Sequence, residues 1–288
     1  MARILFAWEL GGELGHAMAC NRVAAPLRAR GHHIAFAFRE LSPLASLDNC
    51  AAHDVFQAPV SLTEGRGAAK PFSLADILVG CGYDRASHVS GLLGGWLALF
   101  ERWRPDMVIT DFAPTALLAA RVLGIRRAAY GNGFSIPPRV TPLPPFRYDE
   151  AAATGELAAA EARALANANA ALARWGAPAL DCLAQQFESD EEFLFTFPEL
   201  DSYGARPATG YWGPAYSADS GINVSWPEGE GKRVAVYVRK KLPQLDGLID
   251  ALASQDCRVA AYIPELDAKR AARLRSPRRL VCERPMKL

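Results

Sequence analysis

Five histidines occur in the 288 residues, and one of them, His16, stands where chemistry is easiest to arrange. It follows the glycine-rich turn Gly11-Gly12-Glu13-Leu14-Gly15, after the strand-like run Ile4-Leu5-Phe6-Ala7-Trp8 and at the start of a helical pattern. Histidine is the side chain most often used as a general base near neutral pH. A strand, a glycine turn and a helix in that order bring a ligand close to backbone and offer free helix N–H groups. The glycines, Gly12 among them, either cradle a phosphate or let a substrate approach His16. Glu13 either orients that substrate or is an exposed loop glutamate. Asp111 ends the apolar run Met107-Val108-Ile109-Thr110; it serves the same site, N-caps the helix beginning near Pro114, or does both. Asn132 and Phe134, in Gly131-Asn132-Gly133-Phe134, lie on a loop that could line a pocket.

These residues need elements to hold them, and the apolar pattern supplies an α/β alternation. Strands are expected at 3–8, 33–38, 55–58, 107–110 and 127–130, with helices at 15–30, 73–80, 85–104 and 114–123. Gly31 and Gly124 close two of the helices. Trp96, Phe100 and Trp103 recur at helical spacing and are expected in the core. Such alternation implies a parallel sheet with right-handed crossovers. In open parallel sheets, ligands bind outside the carboxyl ends of the strands. His16, Asp111 and Asn132 all fall at that edge, so three separate segments converge on one crevice.

Residues 150–187 are alanine-rich and are expected to form two helices broken at Gly176 and Pro178, anchored by Leu172, Trp175, Leu180 and Phe187. A strand at 193–197 follows. Residues 217–231 have the glycine, acidic and proline content of a linker. Beyond it the alternation restarts, with strands at 233–238, 258–263 and 280–283 and helices at 243–254 and 265–274. The expected division is a first domain at 1–216, a linker at 217–231 and a second domain at 232–288 that is cut short, since doubly wound domains usually exceed ~100 residues.

Half of the chain is hydrophobic and its net charge is +1. That balance argues against nucleic acid as a partner. The longest apolar stretch, 89–100, falls short of the ~20 residues of a membrane helix. The six cysteines form no C-x-x-C pair and no histidine stands at zinc-ligand spacing, so a reduced, cytoplasmic, metal-free protein is expected. His32, His33, His53 and His88 lack a visible acidic partner and read as structural.

Gly15-His16 after the first strand, Asp111 after the fourth, and Tyr211-Trp212-Gly213-Pro214 together give the chain a recognisable pattern. It resembles the nucleotide-sugar-dependent glycosyltransferases of the GT-B fold, in the group of UDP-glucuronosyl, UDP-glucosyl and natural-product enzymes. The resemblance implies two facing Rossmann-like domains, the second incomplete here, and transfer of a sugar, with inversion, to a hydroxyl of a small or lipophilic acceptor. It implies that His16 takes the acceptor's proton and Asp111 holds the other imidazole nitrogen. Gly12, Glu13, Asn132 and Phe134 would contact the acceptor. The donor, a UDP-sugar, is a co-substrate, and no cofactor or metal is implied. The family's His- and Gly-containing donor motif does not occur before Leu288, and Arg239-Lys240-Lys241 replaces the usual small hydroxyl residues. Arg239 and Lys240 either meet the diphosphate or form a solvated turn. A non-catalytic acceptor-binding module remains an alternative. So does an NAD(P)-dependent oxidoreductase, although Leu10 stands where its fingerprint needs glycine. A sugar-nucleotide epimerase or a peptidoglycan-type N-acetylglucosaminyltransferase shares the glycine-rich first loop.

Overall fold

The computed structural model describes residues 1–12, 14–46, 54–62, 70–146, 154–206, 210–214, 221–238, 242–264, 266–284 and 286–287. The chain divides into two compact units, Met1–Ala215 and Tyr216–Leu288.

The first unit is built on a six-stranded, wholly parallel sheet in the order β3-β2-β1-β4-β5-β6. Its strands are β1 (Arg3–Trp8), β2 (His33–Phe38), β3 (Asp54–Gln57), β4 (Met107–Asp111), β5 (Arg126–Gly131) and β6 (Glu191–Leu194). A parallel sheet is covered on both faces, so its strands read as unbroken apolar runs rather than alternating ones. In β1, Leu5 and Ala7 enter one core while Ile4, Phe6 and Trp8 enter the other. The second core is covered by α1 (Leu14–Ala29) through Ala17, Cys20 and Ala24. The first is covered by α3 (Ala86–Trp103), α4 (Pro114–Val122) and α5 (Thr154–Arg174), reached after the short α2 (Leu74–Leu78). Trp96, Phe100 and Trp103 of α3 are buried there, as their spacing predicts.

Four expectations are corrected. Residues 150–187 hold one helix within the described part, not two. Gly176, at φ +65°, ends α5, and Asn169 then exchanges two hydrogen bonds with the backbone of Leu180 at 2.9 and 2.7 Å. These bonds hold the chain in an irregular path until a 3-10 turn at Leu183–Phe187. Trp175, expected as a core anchor, is 47% exposed. Helix α2 stops early because Gly82, at φ +109°, breaks the following π turn Val79–Tyr83. Finally, β6 begins before the apolar run, since Glu191 and Glu192 pair with Ala128 and Ala129.

The second unit has a three-stranded parallel sheet, β10 (Arg279–Cys282), β9 (Cys257–Tyr262) and β8 (Lys232–Tyr237). Helices α6 (Leu245–Ser254) and α7 (Ala268–Leu274) pack against Val236, Val259 and Ala261. Arg270 and Arg273 of α7 bond Asp246 and Asp250 of α6. Within the stretch read as a linker, β7 (Ile222–Asn223) pairs with β11 (Met286–Lys287). No described helix is long and apolar enough to cross a membrane.

Candidate active site

Strands β1 and β4 run side by side with Trp8 opposite Asp111. As the chain leaves β1, the amides of Glu9 and Leu10 donate to the carbonyl of Phe112, at 3.4 and 2.9 Å. The turn after β1 is thereby strapped to the residue after Asp111. Gly11 then takes φ +79°, a conformation open to glycine and rarely to other residues, and the chain enters α1. His16, the third residue of α1, lays its ring on the indole of Trp8 with centroids 5.1 Å apart and planes at 21°. Trp8 is fully buried and donates its indole N–H to the carbonyl of Leu10 at 2.8 Å. The imidazole therefore rests on a fixed surface.

His16 Nδ1 lies 3.0 Å from Asp111 Oδ2. An ionised carboxylate only accepts hydrogen bonds, so Nδ1 carries the proton and the neutral ring presents its lone pair at Nε2. The His16 side chain is 26% exposed and that of Asp111 8%. A Cβ added at Gly11 would stand 2.7 Å from Nε2, so the missing side chain at position 11 is what keeps this nitrogen clear.

His16 belongs to the wall of a cavity of about 430 Å³ at the carboxyl edge of the sheet. Gly11, His16, Ala19 and Arg22, from the first turn and α1, line it together with Asp111, Phe112, Tyr130, Gly131, Asn132, Phe134, Ser135, Phe195 and Pro214. Phe112 is a non-glycine residue at φ +53°, a strained conformation of the kind that gathers at functional sites. The Asn132 side-chain oxygen accepts from the Phe134 amide at 3.2 Å. Behind this loop, the Arg206 guanidinium bonds both the Gly133 carbonyl at 3.2 Å and buried Asp201 at 3.0 Å. Tyr211 donates to the same carboxylate at 2.9 Å, and its backbone bridges to Leu194, the last residue of β6. Tyr211-Trp212-Gly213-Pro214 thus runs beside the sheet edge and delivers Pro214 to the cavity.

His16, Asp111, Asn132 and Phe134 are brought together. Gly12 is exposed and stands outside the cavity wall, where Gly11 is found instead. Glu13, Arg239 and Lys240 lie outside the described residues. Asp111 does not cap α4: its N-cap residue is Ala113, without a side-chain bond. Glu9 does the capping from across the sheet, accepting from the Thr115 amide at 2.8 Å and the Thr115 hydroxyl at 2.5 Å. Burial raises the Glu9 carboxyl to about 7 against these hydrogen bonds. Sequence reasoning missed Glu9, whose place after a buried strand gives no warning of burial. It also missed Arg22, although Arg22 stands six residues after His16 on the same helix. His88, read as lacking an acidic partner, pairs with Asp84 at 3.2 Å, one helical turn earlier; this second His–Asp pair sits at the start of α3, away from the cavity.

No protein-family model matches the chain, and no curated protein sequence matches it. Solved structures do. SsfS6, a glycosyltransferase from Streptomyces sp. SF2575, matches with TM-score 0.59 at 20% identity, over 99% of this chain and 72% of its own. The spinosyn rhamnosyltransferase SpnG matches with TM-score 0.61 at 15% identity, over 99% and 71%. SnogD, a glycosyltransferase from Streptomyces nogalater, matches with TM-score 0.51 at 19% identity, over 98% and 71%. SsfS6 and SpnG also match as complexes with thymidine diphosphate, and SpnG as a complex with the spinosyn aglycone. The fold of this chain is the GT-B glycosyltransferase fold.

Proposed function

We propose that this chain transfers a sugar from a nucleoside diphosphate sugar to a hydroxyl group seated in the His16 cavity. The observation that carries the reading is the His16–Asp111 pair, made through Nδ1, with His16 in the cavity wall. The acceptor O–H gives its proton to Nε2 as its oxygen bonds the anomeric carbon. The bond from that carbon to the diphosphate breaks, and its electrons leave with the nucleoside diphosphate. Direct displacement inverts the anomeric centre. Asp111 keeps the proton of the neutral ring on Nδ1 and stabilises the imidazolium that forms. General-base catalysis supplies typically ~10²–10⁴ in rate.

Asn132 and Phe134 contact the acceptor in this reading, as do Gly12 and Glu13. Residues 1–216 are the acceptor domain, 217–231 a linker and 232–288 donor-binding sequence. The diphosphate is assigned to Arg239 and Lys240, which follow β8 in the sequence. The donor is a UDP-sugar or, as the thymidine diphosphate held by two structural neighbours supports, a TDP-sugar. No metal takes part, in keeping with a sequence that lacks any D-x-D. The five described cysteines are free thiols, which supports a reducing, cytoplasmic setting.

The test is release of nucleoside diphosphate from UDP-glucose and TDP-glucose by the full chain, with a panel of phenolic acceptors, beside His16→Ala. Acceptor-dependent release lost in the variant is expected. Undiminished release in His16→Ala would sink the mechanism, and acceptor binding with no release in any combination would leave a binding module.

A further inference from the structure

The cavity's walls and its charge say more about the acceptor than the presence of a base does. Phe112 and Phe134 meet edge to face, with centroids 5.7 Å apart and planes at 84°. Tyr130 packs with Phe195 at 5.7 Å on the neighbouring wall. The Tyr130 hydroxyl is turned away into the core, donating to Cys20 Sγ at 3.0 Å, so this tyrosine brings no polar group to the cavity wall. Such walls favour a flat aromatic guest, which gains from offset and edge contacts with each ring.

Charge is the second observation. Asp111 is committed to His16. Arg22 also lines the cavity, and among the described residues it has no hydrogen-bond or ion-pair partner. An exposed guanidinium at the rim of an aromatic cavity is fitted to receive a carboxylate, which it binds through parallel charge-assisted hydrogen bonds. The helix gives the scale: from His16 to Arg22 the backbone rises ~9 Å along α1.

Resting on the reading of this cavity as the acceptor site, we propose that the acceptor is a flat aromatic compound. It carries its reactive hydroxyl at one end and an anionic carboxylate about two fused rings away, paired with Arg22. The hydroxyl meets His16 Nε2 while the carboxylate fixes which hydroxyl is presented.

The test compares 6-hydroxy-2-naphthoate, whose hydroxyl and carboxylate are separated by about that span, with its neutral carboxamide. Affinities are read by calorimetry on the full chain at pH 7.5. The carboxylate is expected to bind at least tenfold more tightly. In Arg22→Gln the two affinities should converge through loss on the carboxylate side, while Arg22→Lys keeps part of the preference. Arg22 is exposed, so the variants should melt as the parent does, which thermal unfolding checks. Equal affinities in the parent, a preference that survives Arg22→Gln, or no saturable binding of either compound would each overturn the proposal. Because binding is read without turnover, a failed transfer assay leaves this result standing, and a transferase indifferent to the carboxylate fails this test alone.

Discussion

Trp8 and Asp111 are register partners on adjacent parallel strands, and His16 is held by both, stacked on the first and hydrogen-bonded to the second. One strand pair therefore fixes both the plane of the imidazole and the identity of its free nitrogen. An imidazole held this way is preorganised, with no rearrangement needed to present Nε2.

That pair makes the first prediction. Asp111→Asn can donate an amide hydrogen to Nδ1, which moves the ring proton to Nε2 and removes the lone pair. Transfer should fall by ~10²–10⁴, as in His16→Ala, with acceptor affinity changed only a few-fold in each. The double variant should be no slower than either single one, because the two residues act as a unit. Losses that multiply in single-turnover rates would show that they do not.

Gly11 and Gly12 separate a specific role from a general dislike of side chains in the turn. Gly11→Ala puts a methyl 2.7 Å from Nε2 at a positive φ, whereas a Cβ at Gly12 meets nothing within 4 Å. Gly11→Ala should lower kcat by at least tenfold and stability by about 1 kcal/mol or more. Gly12→Ala should stay close to the parent in kcat and within ~0.5 kcal/mol in stability. Steady-state kinetics and urea unfolding of the two variants check this.

The succession of strands along the chain and the converging edge were legible because each depends on local signals: apolar runs, glycine punctuation, and residue types at strand ends; the His16–Asp111 pairing was legible through the family resemblance. What was not legible depends on distant partners. Glutamate after a buried strand reads as a solvent residue, yet Thr115, 106 positions away, draws Glu9 inside. The alanine-rich helical pattern extends past Gly176, but the side chain of Asn169 captures Leu180 and diverts the chain. Arg22 reads as the polar face of α1 until the aromatic walls from β4, β5 and the segment after β6 are placed opposite it.

Asp201 carries the third prediction, on the loop that forms one of those walls. Its carboxylate is buried and shared by Arg206, Tyr211 and the Tyr203 amide. Arg206→Ala leaves that charge without its cation, a change that costs typically ~3–5 kcal/mol for a buried pair, and releases the Gly133 carbonyl. Unfolding should show the loss. In preparations that remain folded, KM for the acceptor should rise more than kcat falls, because the Asn132–Phe134 wall shifts while His16 and Asp111 stay anchored to β1 and β4. An unchanged acceptor KM would separate this cluster from the cavity.

Glu9 yields the last prediction, on pH. Its carboxyl is raised by burial from 4.5 to about 7 in the folded chain, so the native state holds a proton that the unfolded chain has already released. Stability from this group is complete below about pH 4.5, declines as pH rises, and is lost above about pH 7. At about 1.36 kcal/mol per pH unit the difference amounts to ~3 kcal/mol. Glu9→Gln keeps an acceptor for the Thr115 amide and adds a donor for the Thr115 hydroxyl, but does not titrate. Between pH 5 and 7.5 the parent should therefore lose unfolding free energy relative to Glu9→Gln, by up to that amount, in denaturant titrations at matched ionic strength. All other ionisable groups are common to both proteins, so the difference isolates Glu9. Parallel pH dependences would mean that the Thr115 hydrogen bonds hold Glu9 ionised inside the fold. The β1 turn would then be strapped to α4 by a charge at the helix N-terminus rather than by a neutral acid.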